Sequence, residues 1–417
     1  MKKVCDSSSN FIWNTTAGLV NASEAVILLM VVTRTNGLED AGILTIAFAI
    51  GNLMMTIGRY GVRNYQVTDV EEQLPFSAYF THRICTVLLM GSVTGAYLIY
   101  SCFCNGYSTY KCLTILLVCL IYIAESLEDV FWGLYQKNGR IDIGAKIFVG
   151  RWGLHLIITS AGLLFTHQLI QSLFFGFLTG ALVSMIANRK IVSKYYKGKF
   201  FQWSGVAHIF YSCFPLFVAA FLTNYVSNAP KYAIDKYMSE TDQACYGYTA
   251  MPVFVVMLFG SFVYQPILTD FADEWKEKKM QALRSRILKI VFIVIGLTVV
   301  CFVGAYLCGI PILSVLYATD LTSYKKELLI LMAAGGGLGL VTFESTLLTV
   351  IRKQNITMSG YILIALLAKI LFGYIVRMRG LLGAAELYAA LMWILSLFYG
   401  GCICWQVKKS QERTITQ

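Results

Sequence analysis

The amino-acid sequence predicts an all-α integral membrane protein with about 12 transmembrane helices in two six-helix bundles around a central cavity. Three observations support this fold class: the composition, a series of long apolar runs, and a weak internal duplication. Of the 417 residues, 57% are hydrophobic and 14% are charged, whereas soluble domains are about 45–50% apolar and about 25% charged. This composition excludes intrinsic disorder and nearly excludes a soluble globular enzyme.

The formal net charge of +11 is better explained by basic cytoplasmic loops than by nucleic-acid binding. A chain this apolar has little solvated surface to present to a duplex, so no nucleic-acid partner is expected. The 12 cysteines lie mostly in apolar runs, where a thiol behaves as a small hydrophobic group. They form no CxxC pair, and the two CxC pairs, 102/104 and 402/404, have no nearby histidines, so neither a metal site nor a cofactor is expected.

The apolar runs define the individual helices, because about 20 apolar residues cross roughly 30 Å of hydrocarbon. Twelve runs qualify: 11–33, 41–59, 79–101, 111–135, 142–166, 168–188, 205–228, 244–268, 287–317, 325–350, 356–376 and 381–406. The first run contains Asn14, Asn21 and Glu24 and is therefore too polar for a typical cleaved signal peptide.

The distribution of basic residues predicts the topology. If the N-terminus is inside, the inner links include 60–78 and 136–141. In that case 24 of the 34 Lys and Arg residues lie in inner links or at inner span ends, and 8 lie outside. This bias places both termini in the cytoplasm.

Three landmarks recur in the same order in the two halves of the chain, at offsets of 202, 199 and 203 residues. They are Glu39-Asp40 with Thr241-Asp242, Tyr65-Gln66 with Tyr264-Gln265, and Arg83 with Arg286. Parallel repeats of this kind are a common transporter plan, with the site between the halves. We expect an N-terminal bundle over 1–190, a basic cytoplasmic linker over 191–204, and a C-terminal bundle over 205–417.

Charged residues within the spans are the candidates for function, since each costs about 3 kcal/mol unless it has a partner or a hydrated cavity. Glu24 belongs either to a polar cavity lining or to a helix-packing hydrogen bond. Glu125, Glu128 and Asp129 share one face of the fourth span. They either pair with Lys146 and Arg151 of the next span or form a proton- or cation-coupling site.

The remaining charges within the spans have similar alternatives. Arg151 and His155 share a face, and Arg151 either binds a diphosphate or is a structural partner of Glu125 or Asp129. Glu344 and Lys369 lie in the middle of the tenth and eleventh spans, where mutual pairing is the simpler expectation. The glycine run 335–339 lacks the features of a phosphate-binding loop and indicates either close helix packing or a flexible point in the tenth span.

Several stretches resemble the Wzx-type polysaccharide flippases of the multidrug/oligosaccharidyl-lipid/polysaccharide (MOP) exporter superfamily. These stretches are Asn10-Phe11-Ile12-Trp13-Asn14, Arg59-Tyr60-Gly61-Val62-Arg63-Asn64-Tyr65-Gln66-Val67-Thr68-Asp69 and Asn228-Ala229-Pro230-Lys231-Tyr232-Ala233-Ile234-Asp235. The resemblance covers essentially the whole chain, including its size and its duplication into six plus six spans.

The resemblance implies a flippase in the bacterial inner membrane. Its substrate would be an undecaprenyl-diphosphate-linked O-antigen or capsule repeat unit, moved to the outer leaflet by alternating access. A polysaccharide polymerase and a chain-length regulator would be its partners, besides membrane lipids. In such flippases cationic side chains of the cavity attract the diphosphate and sugars. On this basis the candidate binding residues are Arg34, Arg59, Arg63, Arg151, Lys231 and Lys369.

No hydrolytic site is visible in the sequence, so the expected driving force is either a proton or sodium gradient or the onward use of the product. The candidate coupling residues are Glu24, Glu125, Asp129 and Glu344. A membrane-embedded polymerase or glycosyltransferase is the main alternative, and the short outer link over 229–243 disfavours it. A multidrug or cation exporter of the same superfamily is a second alternative, and the cations within the spans favour an anionic substrate instead.

Overall fold

The computed structural model describes the backbone of residues 2–69 and 74–415, and the side chains of all of these except 2–7, 266, 269 and 412–415. Every regular element in this part of the chain is helical. The α-helices are, in order, α1 (Lys2–Asn36), α2 (Leu38–Arg59), α3 (Val62–Thr68), α4 (Phe76–Cys104), α5 (Thr109–Lys137), α6 (Ile141–Thr166), α7 (Leu169–Val192), α8 (Val206–Tyr237), α9 (Glu240–Ala250), α10 (Val253–Tyr264), α11 (Leu268–Lys276), α12 (Met280–Gly304), α13 (Ile310–Tyr317), α14 (Lys325–Val350) and α15 (Gln354–Ile415).

The predicted membrane-spanning helices are confirmed. Eleven segments of the described residues are long and apolar enough to cross a membrane. The last of them contains two helices joined at Gly380, whose φ of 59° and ψ of −142° are not helical. Glycine tolerates this left-handed φ because it has no Cβ. When the two helices are counted separately, the described residues make twelve crossings.

Two spans are interrupted at prolines. The eighth span consists of α9 and α10, with Pro252 between them. The ninth consists of α12 and α13, joined by a π-helical turn over Ala305–Gly309 just before Pro311. Proline lacks the amide hydrogen that a continuing helix requires and clashes with the preceding turn. Each of these two predicted spans is therefore a pair of shorter helices.

The helices pack as two compact units, the first ending at Asn224 and the second beginning at Tyr225. This division falls within α8, some distance after the linker over 191–204 that the sequence predicts. The first half of α8 packs with the first unit: Phe217 stacks on Tyr60 with 4.6 Å between ring centroids, and Ile209 is buried in the same cluster.

The first unit is built around α2 and α5. Helix α5 contacts α2, α4, α6 and α7. Glycines allow α2 to approach it closely: a Cβ at Gly51 would lie 2.7 Å from the Tyr122 ring, and one at Gly58 would lie 2.7 Å from Ser126 Oγ. Helix α5 therefore lies at the centre of the first unit, and its neighbours hold its polar side chains in place.

In the second unit, α14 occupies the corresponding position and contacts α10, α12 and α15. The glycine run 335–339 lies on this helix, and the predicted close packing is confirmed. A Cβ at Gly335 would lie 2.8 Å from the Val253 carbonyl oxygen, and one at Gly337 would lie 3.2 Å from the Met392 backbone.

The predicted duplication is also visible in the order of the helices. A short helix follows the second span of each unit, α3 in the first and α11 in the second. The next helix of each unit carries the landmark arginine. Arg83 Nη2 lies 2.7 Å from Asp129 Oδ2, and Arg286 Nη1 lies 2.8 Å from Asp270 Oδ2.

Candidate functional site

Three carboxylates on α5 form the centre of a charged network in the first unit. Glu125, Glu128 and Asp129 are spaced by three and four residues, so they share one face of the helix. They are only 2%, 3% and 7% exposed. Carboxylates this deeply buried are ionised only where charged partners compensate them, because an unpaired charge in the interior is very costly.

Arg151 on α6 is the partner of two of these carboxylates. Its Nη2 lies 2.7 Å from Glu125 Oε2, and its Nε lies 2.7 Å from Glu128 Oε2. Trp152 Nε1 donates a further hydrogen bond of 2.8 Å to Glu125 Oε2. The expected pairing with Arg151 is confirmed, while the expected pairing with Lys146 is wrong: Lys146 Nζ lies 2.8 Å from Asp142 Oδ2 instead.

Asp129 is paired with arginines from two other helices. Arg83 on α4 is fully buried; it contacts Asp129 and donates a 2.5 Å hydrogen bond to the Gly58 carbonyl. Arg63 Nη1 on α3 lies 3.5 Å from Asp129 Oδ1. The sequence indicates Arg83 only as a landmark of the duplication and gives no signal of its pairing with Asp129.

Two arginines of the network reach a cavity. Arg59, the last residue of α2, is 37% exposed at its side chain, and its Nη2 lies 2.5 Å from Glu125 Oε1. Arg63 is 23% exposed at its side chain and lies over the Trp132 ring at 4.1 Å from the centroid. Its Nε and Nη2 also donate to Gln136 Oε1 at 3.1 and 2.8 Å.

The cavity itself has a volume of about 450 Å³. Its lining comes from α1, α3, α5, α6 and the end of α2, and consists of Asn14, Arg59, Gly61, Arg63, Asn64, Asp129, Gln136 and Ile141. Gly61 has φ 68°, which allows the sharp turn between α2 and α3 that brings Arg59 and Arg63 to the same cavity. We call this cavity, with its two arginines, the arginine cavity.

The arginines of the network are of two kinds, buried and partly exposed, and the two kinds are suited to different chemistry. Arg83 and Arg151 are 0% and 2% exposed at their side chains and are paired with carboxylates. Arg59 and Arg63 pair with two of the same carboxylates, Glu125 and Asp129, but their side chains are partly exposed and line the arginine cavity. A partly exposed guanidinium group is suited to a phosphate group, because its N–H groups form charge-assisted hydrogen bonds to phosphate oxygens. On Arg63 a phosphate would replace Gln136 as the acceptor of the bonds from Nε and Nη2.

The other candidate cations lie elsewhere. Arg34 is exposed near the end of α1, about 30 Å along the helix from Asn14 of the arginine cavity. Lys231 on α8 is half-buried beside Tyr246 and Tyr388 in the second unit and donates a 3.2 Å hydrogen bond to Asn228 Oδ1. Lys369 is exposed on α15. Of the six nominated cations, the structure therefore brings only Arg59 and Arg63 to the arginine cavity.

The four candidate coupling carboxylates also divide into two classes. Glu125 and Asp129 are paired with arginines, as described above. Glu24 on α1 is 5% exposed; its Oε1 accepts a 3.1 Å hydrogen bond from the Tyr122 hydroxyl, and its Oε2 has no hydrogen-bond partner among the described residues. Asn21 on the same helix is exposed.

Glu344 on α14 resembles Glu24. It is 6% exposed; its Oε1 accepts a 3.2 Å hydrogen bond from Ser396 Oγ, and its Oε2 has no partner among the described residues. The expected mutual pairing with Lys369 is wrong, because Glu344 is buried against the second half of α15 while Lys369 is exposed on the first half.

Comparison with known proteins shows that the chain has a known fold. No protein-family model matches the chain. The capsular polysaccharide biosynthesis protein CapF of Staphylococcus aureus is 25% identical over 387 residues, which cover 90% of this chain and 94% of that protein.

Two solved structures are similar over nearly the whole length. The lipid II flippase MurJ, in an inward closed conformation, is 15% identical with a TM-score of 0.75 and covers 98% of this chain and 90% of its own. An inward-facing multidrug-resistance MATE family transporter of the MOP superfamily is 11% identical with a TM-score of 0.69 and covers 94% and 96%. The chain therefore has the fold that MATE transporters of the MOP superfamily share with the lipid II flippase MurJ.

Proposed function

We propose that the protein is a flippase that moves an undecaprenyl-diphosphate-linked oligosaccharide repeat unit from the cytoplasmic to the outer leaflet of the bacterial inner membrane by alternating access. The observation that carries this proposal is the arginine cavity, whose two partly exposed arginines are paired with buried carboxylates. An anionic diphosphate complements this cavity, and a polyisoprenyl tail can stay in the lipid while the polar head crosses.

The comparisons support the same substrate class. The relative from Staphylococcus aureus is named for capsular polysaccharide biosynthesis, and a flippase of a lipid-linked precursor shares the fold. The arginine cavity is lined by residues from the links that the sequence predicts to be cytoplasmic, 60–78 and 136–141. With both termini in the cytoplasm, the cavity would receive the head group on the side where the repeat unit is assembled.

The two alternative functions, an enzyme and a drug exporter, fit the described residues less well. A polymerase or glycosyltransferase would need an outer catalytic segment, but α8 continues to Tyr237 and α9 begins at Glu240, so almost no link remains there. An exporter of cationic drugs shares the fold, but its substrate would be repelled by Arg59 and Arg63. Functional association with a polymerase and a chain-length regulator is part of the proposal.

Deletion of the gene tests the function directly. We expect the lipid-linked repeat unit to accumulate on the cytoplasmic leaflet and the surface polysaccharide to be lost. Expression of the wild-type protein should restore export, and a variant with Arg59→Ala and Arg63→Ala should not. Normal surface polysaccharide in the deletion strain would reject the proposed function, and increased sensitivity to cationic drugs alone would support the exporter.

The driving force is proposed to act through Glu24 and Glu344. Both are buried carboxylates with one oxygen unpartnered among the described residues, so each can take up a proton or contact a cation without breaking an arginine pair. Glu125 and Asp129, in contrast, anchor the arginines of the network. Transport into proteoliposomes with an imposed proton or sodium gradient distinguishes the two ions, and transport that is independent of both would exclude coupling.

A further inference from the structure

A second cavity in the first unit is separate from the arginine cavity and differs in character. It is a groove of about 680 Å³ between α4, α5 and α7. Most of its wall is apolar and includes Leu120, Ile123, Leu127, Phe131 and Phe177. Its volume is within the range of cavities that bind small organic ligands. A hydrocarbon chain is the chemistry that matches such a wall.

One end of this groove is strongly basic. Arg189 and Lys197 line it there, together with Ser193 and Tyr196, and both cationic side chains are exposed. They belong to a segment with five basic residues between 189 and 199 that follows directly on a membrane-spanning helix. Basic clusters at the end of a spanning helix attract anionic lipid headgroups.

The acidic residue in the groove lining is not expected to repel an anion. Glu128 is the single carboxylate in the lining, and its charge is matched by Arg151 at 2.7 Å. The groove therefore combines an apolar length with a cationic end, which is the polarity of a phospholipid with its phosphate at the membrane surface.

We infer that this groove binds an anionic phospholipid, with one acyl chain along α5 and α7 and the phosphate between Arg189 and Lys197. The predicted topology places that phosphate in the cytoplasmic leaflet. Bulk phospholipid surrounds a membrane protein at high concentration, so mass action favours its occupancy over that of a scarce carrier lipid. This inference does not depend on the proposed substrate.

Native mass spectrometry of the purified full-length protein tests the inference. The probes are phosphatidylglycerol and phosphatidylethanolamine with identical acyl chains, titrated at about 150 mM salt, where exposed charges interact over only about 8 Å. We expect tighter binding of phosphatidylglycerol. Each basic side chain near a lipid phosphate contributes about fivefold, so Arg189→Ala with Lys197→Ala should weaken phosphatidylglycerol binding about 25-fold.

The matched control is Lys190→Ala with Lys194→Ala, which removes two exposed charges of the same segment that do not line the groove. We expect this control variant to weaken phosphatidylglycerol binding less than fivefold. A second variant, Ala181→Phe, fills the apolar length of the groove, and its control, Leu182→Phe, adds the same ring at a neighbouring exposed position. Only Ala181→Phe should reduce lipid binding.

Three outcomes would overturn the inference. They are equal binding of the two phospholipids, an equal loss in both charge variants, or preferential binding of undecaprenyl phosphate in a third titration. The last result would assign the groove to a polyisoprenyl chain instead. If Ala181→Phe fails to fold, the charge variants still decide, because their side chains are exposed.

Discussion

Substitution of Arg151 by alanine distinguishes a structural arginine from a substrate-binding one. The change leaves Glu128 with Ser184 as its hydrogen-bond donor, at 3.0 Å. Glu125 keeps Arg59 but loses a charged contact of 2.7 Å. Removing one partner of a buried ion pair costs about 3–5 kcal/mol, because the remaining charge is uncompensated. We therefore expect Arg151→Ala to destabilise the fold by about this amount.

The assay is the fraction of monodisperse protein that remains after heating in detergent. For a unit of this size each kcal/mol corresponds to about 2–4 °C, so the expected decrease in midpoint is about 6–20 °C. Lys146→Ala on the same helix is the control. Asp142 is buried but keeps Arg140 at 2.9 Å when Lys146 is removed, and the lysine side chain is 43% exposed, so we expect a loss of about 0–1 kcal/mol.

A compensating variant separates lost charge balance from lost packing. Arg151→Met with Glu128→Gln removes both charges of one pair and keeps similar volumes, and Glu125 retains Arg59. We expect it to recover at least half of the stability lost in Arg151→Ala. An Arg151→Ala protein that is as heat-stable as the wild type, yet inactive in export, would refute the structural role and return Arg151 to the substrate site.

Three further predictions concern other parts of the molecule. Arg34→Ala should leave export unchanged, because Arg34 lies about 30 Å along α1 from the arginine cavity; a loss of export with normal expression would contradict this. Glu344→Gln should preserve heat stability and abolish the response of transport to an ion gradient, and a gradient response equal to that of the wild type would exclude its role. Gly335→Leu should reduce stability by about 1–3 kcal/mol through overpacking, whereas Gly296→Ala should not, since nothing lies within 4 Å of an added Cβ there.

The sequence predicts the helices well because crossing a membrane imposes length and apolarity on each one. The run 325–350 matches α14 at both ends, and the twelve crossings are all present in the described residues. The eighth and ninth spans are exceptions, because prolines divide each of them into two helices. The kink at Gly380 lies in the short link that the sequence places between the last two spans.

The candidate site is less predictable, because apolar runs do not reveal how helices are rotated against one another. The spacing of Glu125 and Asp129 along α5 predicts that they share a face of the helix. It does not identify their arginine partners, which come from four other helices. The sequence therefore leaves Arg151 open between a structural and a binding role. The resemblance to flippases groups Arg34 with Arg59 as cavity cations, although the two lie in different parts of the first unit.

Binding of undecaprenyl diphosphate to the purified protein tests the central claim most directly. The measurement compares the Kd of the wild type with that of a variant carrying Arg59→Gln and Arg63→Gln, with Arg34→Gln as the control. A charge-assisted hydrogen bond contributes about 1.5–3 kcal/mol, so loss of both arginines should weaken binding at least 100-fold, while the control retains the wild-type Kd. Equal affinity of the double variant and the wild type would contradict the assignment of the arginine cavity as the diphosphate site.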